Sequence, residues 1–372
     1  MKSNKISAII NLSNDKEAMY PLTQHRPIAA LPFSGRYRIV DFLLSSTRYA
    51  NIESVAMFIS GSGRSIYDHV RSGSEWDLNS SIRGGLFTFS QQNWKRHYYL
   101  THEVGRDFFE DSRIFLHKSK DDFVIVMGGE VIHNLDINDL SEKHVEMGGD
   151  ITLAYTIKDT NHVGFQVEGD RIVGIDEEDG FKAMNMDVYF MRIDTLYEIF
   201  DKAVEDGAYD DIMKVIQHYL KDYELRAYEY RGYAAKITNA QEFFEVNMAM
   251  LTEANYEKLF HSEVPIITRA RSGPPAYYAE EAVVKNSQIA TGSRIYGTVE
   301  NSLIFRKVNV DKNTTIKNSI IMTGAKVGSN VHLEYVMLDK DVTIHDGVTL
   351  KGTKDKALII EKGTVVRKDD DV

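Results

Sequence analysis

Two hydrophobic periods divide the chain. In the first part, apolar runs at residues 6–10, 55–60, 123–127, 151–157, 188–191 and 225–230 have the character of buried strands. Between them, residues 41–49, 65–72, 104–118, 139–147, 195–205, 210–220 and 239–254 carry apolar positions at helical spacing. Gly148-Gly149 is a left-handed helix stop, and Gly169-Asp170 is the turn of a hairpin formed by residues 164–168 and 171–175. Strands alternating with helices predict an α/β domain with a mostly parallel sheet over residues 1–261.

The period then changes to six. Val283, Ile289 and Ile295 are six apart, as are Ile304, Val310 and Ile316. The same spacing relates Ile321, Val327 and Leu333, and then Val336, Val342 and Val348. Gly, Asn, Ser and Asp separate them, which predicts a hexapeptide parallel β-helix over residues 281–372, one triplet to a coil. Such coils are left-handed, against the usual crossover rule. Residues 262–280 form a linker containing Pro265, Pro274 and Pro275 without helical period. The solenoid ends and faces need covering, which predicts association. His332 and His345 read as surface turn residues; the other reading is the histidine base of a hexapeptide acyltransferase. The acidic end of the chain reads as a solvated tail.

Pro21, Pro27 and Pro32 are the only prolines before the linker. Three prolines so close exclude a helix or inner strand, so residues 19–38 form a long ordered loop after the first strand. Ligands of open α/β sheets bind beyond such strand ends. The loop carries Arg26, Arg36 and Arg38, and the linker carries Arg269 and Arg271. These are candidate effector or anion-binding residues where the two domains meet; the competing reading pairs them with the many acidic side chains.

The chain has 372 residues, a formal charge of −11 and no cysteine. The charge argues against a nucleic-acid partner, and the missing thiols exclude disulfide or zinc-thiolate chemistry. No run approaches the ~20 apolar residues of a membrane span, and the N-terminal apolar run is too short for a signal peptide, so a cytoplasmic location is expected. Asp210-Asp211 reads as a helix cap rather than an acid–base pair. Gly61-Ser62-Gly63-Arg64 reads as a plain turn or an anion nest. His97 and His102, within and beside the aromatic tract 94–101, do not share a helix face.

PLTQHRPIAALPFSGRYRIVDFLLSS, followed by FVIVMGGEVIHNLDI, NMDVYFM and QEFFEVNMAML, resembles the sugar-1-phosphate nucleotidylyltransferases in order along the chain. The nearest pattern is bacterial glucose-1-phosphate adenylyltransferase (ADP-glucose pyrophosphorylase). The resemblance implies a Rossmann-like nucleotidyltransferase domain followed by a left-handed β-helix that helps build tetramers. It also exposes departures. The glycine-rich nucleotide loop is replaced by LSNDKEAM, with no glycine and with Asp15 and Glu17 added. Ala18 stands at the triphosphate-binding arginine and Ile28 at the lysine of the RAKP segment. Of two magnesium carboxylates, Glu130 preserves one and Lys236 replaces the other. The sugar-phosphate lysine has no partner in Ile175-Asp176-Glu177-Glu178-Asp179. A glycine cradle and fixed cations supply most of what phosphoryl-type chemistry asks of a protein. The pattern therefore resembles the D-type, regulatory subunit of the bacterial enzyme.

That resemblance implies a regulatory, non-catalytic partner of a catalytic adenylyltransferase subunit, in a hetero-tetramer or homo-oligomer, without a cofactor of its own; the arginine charge density where the domains meet adds an anionic metabolite as the expected effector. Two alternatives stay open. One is an active Mg²⁺-dependent enzyme making ADP-glucose from ATP and glucose 1-phosphate. The other is a stand-alone sugar-phosphate or nucleotide sensor.

Overall fold

The computed structural model describes residues 5–13, 17–59, 63–79, 84–91, 107–158, 162–176, 182–368 and 370. Asp15, Gly61 and Ser62 of the Gly61-Ser62-Gly63-Arg64 turn, the aromatic tract with His97 and His102, and Glu177–Asp179 lie outside the described residues.

The first domain is built on a nine-stranded sheet. Its order is Gly85–Ser90, Ser54–Ile59, Ile6–Leu12, Phe123–Gly128, Ala183–Arg192, Ile151–Ile157, Leu225–Glu229, Arg171–Asp176 and Gly164–Glu168. The first four strands are mutually parallel. Ala183–Arg192 then runs antiparallel to both neighbours. The apolar run at 188–191 marks only the end of this long strand, because Asn185 and Asp187 interrupt the hydrophobic pattern before it. The Gly169-Asp170 hairpin forms as expected, with a bulge between Ile172 and Gly174. Asp211 caps the helix Ile212–Tyr219 by accepting from the amides of Met213 and Lys214, which is the cap reading of that acidic pair.

Three local expectations need correction. The proline-rich loop holds a small hairpin, Pro32–Phe33 against Tyr37–Arg38, turning at Ser34 and Gly35 with φ of +44° and +70°. The helix expected over 239–254 breaks. Ala240–Met248 and Glu253–Phe260 are separate, with Thr252 extended at φ −88°, ψ 120° between them. The helix expected over 104–118 is Glu110–Ser119, and residues 104–106 lie outside the described residues.

The C-terminal domain has three parallel sheets of six, five and five strands. Interior side chains stack from coil to coil: Ile295, Val310, Val327 and Ile344 on one face; Val299, Ile316, Leu333 and Leu350 on the second; Ile304, Ile321 and Leu338 on the third. The strict period of six slips at both ends. Val284, not Val283, pairs in register with Val299, and Val283 is exposed. In the later coils Leu338, Ile344 and Leu350 occupy the stacks, while Val336, Val342 and Val348 are buried beside them. The slip follows from corners that take one residue more or fewer. Asn286, Asn301 and Asn318 turn one corner at positive φ, with side chains hydrogen-bonded in a ladder at 2.8 and 2.6 Å. Asn tolerates that conformation and can bond its neighbour.

One face of the solenoid packs on the first domain. Leu303, Phe305, Ile320, Met322 and Met337 share an apolar cluster with Ile28, Leu31, Phe33, Phe243 and Phe244. The linker is bound down: Thr268 Oγ1 donates to Asp41 Oδ2 at 2.6 Å, and the Ile267 amide donates to Ser45 Oγ at 2.8 Å.

Candidate functional site

Two charged places stand out, a cleft beyond the parallel strands and a junction between the domains. The cleft forms where Ile6–Leu12 and Phe123–Gly128 end side by side. Gly129 lies so close beneath the opening loop that a Cβ there would meet Leu12 Cδ2 and Ala29 Cβ. Ala18 sits exposed in the short turn Glu17–Met19. Ile28 is 3% exposed and belongs to the interdomain apolar cluster. The position read as a cationic substrate contact is therefore a packing residue.

Glu130 and Lys236 come together at two short strands. The strands Val131–Ile132 and Ala235–Lys236 pair antiparallel, and the Ile237 amide donates to the Glu130 carbonyl at 2.8 Å. Lys236 Nζ lies 2.6 Å from Asp187 Oδ2, with Asp187 buried and the Lys236 side chain 11% exposed. Burial opposes the Lys236 charge, but Asp187, Glu130 and Glu242 outweigh it and raise its pKa. Lys236 is thus a fixed cation. His133, fully buried nearby, is pushed down to about 4 by desolvation, against an opposing pull from Asp187. The sequence reading missed Asp187. Its signal was a carboxylate in the middle of a strand whose other interior residues are uncharged.

The magnesium implied by the family does not fit these residues. One of its two carboxylate positions holds an ammonium already committed to Asp187. Among the described residues, no group of three or more His, Cys, Asp or Glu is arranged to hold a metal ion.

At the junction, helix Ile39–Tyr49 fixes the arginines. Asp41 accepts from the Arg38 amide at 2.9 Å and also faces His69 Nε2 at 2.5 Å. Arg38 Nη1 donates to the Ser65 carbonyl at 2.6 Å. Arg26, 7% exposed, reaches across to the solenoid, where its Nη2 donates to Asp339 Oδ1 and Oδ2 at 2.7 and 2.8 Å. Lys340 follows Asp339 and was not foreseen. Burial, then Arg26 and Arg38, and further Arg271, bring its pKa down to about 7, with Asp339 opposing. Burial and then Arg271 bring Arg38 down to about 10. Arg26, Arg38, Arg271 and Lys340 therefore converge. Arg269 acts on Arg271 while its Nη1 donates to the Asp68 carbonyl at 2.7 Å. Arg36 does not join them; it is exposed over the Tyr37 ring. A cavity of about 80 Å³ opens here, lined by His25, Arg26, Ser65, Asp339 and Lys340 among others.

Residues 17–253 match the nucleotidyl transferase family, and residues 274–367 match the GlmU-like C-terminal hexapeptide family. The chain belongs to the nucleotidyl transferase family. Among its relatives, the glycogen biosynthesis protein GlgD of Geobacillus stearothermophilus is 35% identical, and that of Bacillus subtilis (strain 168) is 30% identical; each alignment covers 98% of both chains. A glucose-1-phosphate adenylyltransferase of Bacillus thuringiensis (strain Al Hakam) is 25% identical over 97% of this chain and 99% of its own. The α/β domain followed by a hexapeptide β-helix is the architecture these matches describe. Among the described residues, no helix is long and apolar enough to cross a membrane.

Proposed function

We propose that this chain is a regulatory, non-catalytic subunit of a glucose-1-phosphate adenylyltransferase, acting in glycogen biosynthesis within the cytoplasm. The observation that carries the reading is the Lys236–Asp187 ion pair, which puts a bound ammonium where the family needs a metal carboxylate. Ile28 in the interdomain core supports it, as does the higher identity to proteins named GlgD than to the adenylyltransferase. The chain acts by binding a catalytic subunit, in a hetero-tetramer, and favouring that subunit's active conformation through contacts that differ between its states. An anionic metabolite bound at Arg26, Arg38, Arg271 and Lys340 biases the same equilibrium, because that junction ties the two domains together.

The test is to add the purified chain to a catalytic subunit, following ADP-glucose formation and the mass of the assembly. A mixed assembly with a raised rate or an altered effector response is expected. Absence of both a mixed assembly and any kinetic effect would reject the reading and leave a free-standing sensor as the account to pursue.

A further inference from the structure

Asp187 turns its strand through left-handed backbone. Its φ is +54° within a strand, where the register against Ile151–Ile157 breaks between Asn185 and Tyr189. Aspartate, like asparagine, adopts that left-handed backbone more readily than other side-chain-bearing residues, and here it turns the strand so that the carboxylate meets Lys236. The Asn185 side chain holds the Asp187 amide at 2.8 Å. The carboxylate so placed is 5% exposed, and its Oδ1 has no hydrogen-bond partner among the described residues. Its Oδ2 meets Lys236 Nζ at 2.6 Å, and Glu130, 3% exposed, bears on the same ammonium. Two buried carboxylates around one cation is the charge arrangement with which proteins hold Mg²⁺ or Mn²⁺, which need only one or two carboxylates plus water.

We propose that Lys236 is an intramolecular replacement for a divalent cation: Glu130 and Asp187 form a two-carboxylate cation seat, which the chain fills with its own ammonium. The cleft then rejects free divalent cations until Lys236 is removed. This goes beyond the absence of turnover and rests on the functional reading only for the family positions of Glu130 and Lys236.

The test uses the full chain, with thermal unfolding and Mn²⁺ electron paramagnetic resonance. Wild type is expected to bind no Mn²⁺ in the cleft and to melt at the same temperature with or without it. Lys236→Ala should melt lower, bind one Mn²⁺, and gain at least about 3 °C at saturation, since a ligand of the folded state alone raises Tm. The double variant Asp187→Asn/Lys236→Met, which removes the charges together, should fold and bind none. If Lys236→Ala does not fold in metal-free buffer, refolding with and without Mn²⁺ replaces the melt; recovery only with Mn²⁺ supports the seat, and no recovery overturns it. An equal Mn²⁺ response in wild type and Lys236→Ala, or a folded Lys236→Ala that binds no ion, would also overturn it. ADP-glucose formation is read separately: turnover by wild type would refute the proposed function and leave the Mn²⁺ result to decide this inference.

Discussion

The cleft and the junction are both charged, but their balances differ. In the cleft, Lys236 is matched by Asp187 and Glu130, so the positive charge is already satisfied within the chain. At the junction, Arg26, Arg38, Arg271 and Lys340 bear on one another, while Asp339 is claimed by Arg26. One region has closed its electrostatics and the other has left them open to an anion. The cleft is neutralised within the chain, while an excess of positive charge stands where the domains join.

Removing the anion from the open site should have the largest effect. Asp339→Ala leaves Arg26 buried without its partner and should cost about 3–5 kcal/mol in urea unfolding. A cost below about 1 kcal/mol would mean that the junction is not held by this pair. Ile28→Lys restores the family's lysine type but places a charge in the interdomain core. It should cost about 3 kcal/mol and bring no ADP-glucose synthesis; gain of activity would overturn the packing account. In the closed site, Asp187→Asn and Lys236→Met should couple by about 0.5–3 kcal/mol in a double-mutant cycle, and additive costs would deny the pair.

Lys340 sharpens the contrast through pH. Its folded pKa is about 7, below the ordinary lysine value, so between pH 7 and that value the unfolded chain binds more protons. Stability should therefore rise with pH across this window in wild type and lose that slope in Lys340→Met. An anion bound beside Lys340 should draw in a proton near pH 8, measurable by calorimetry in buffers of different ionisation enthalpy. Arg36→Ala should have the smallest effect, within about 0.5 kcal/mol and without change in anion affinity, because Arg36 stands apart over Tyr37.

Much of this was legible in the sequence because it depends on local periodicity. The strands, the Gly169-Asp170 turn and the six-residue repeat follow from which positions are apolar. Val283 and the later valines show the limit: a corner residue more or less moves the stack by one, and period alone does not count corners. Glu130 and Lys236 were locatable by motif. Asp187 and Lys340 were not, because each gains its meaning from a partner distant in sequence. Asp187 needs Lys236, which lies on a separate two-stranded ribbon, and Lys340 needs the arginines of the opening loop and linker. The antiparallel course of Ala183–Arg192 was hidden for a similar reason, since strand direction is set by the connection and not by the strand's own residues.

The most direct measurement is ADP-glucose formation by the purified chain alone, with ATP, glucose 1-phosphate and Mg²⁺ across a range of concentrations. The closed cleft predicts no turnover above background at any Mg²⁺ concentration. Robust Mg²⁺-dependent synthesis would contradict it, and would mean that Lys236 gives up Asp187 when substrate arrives.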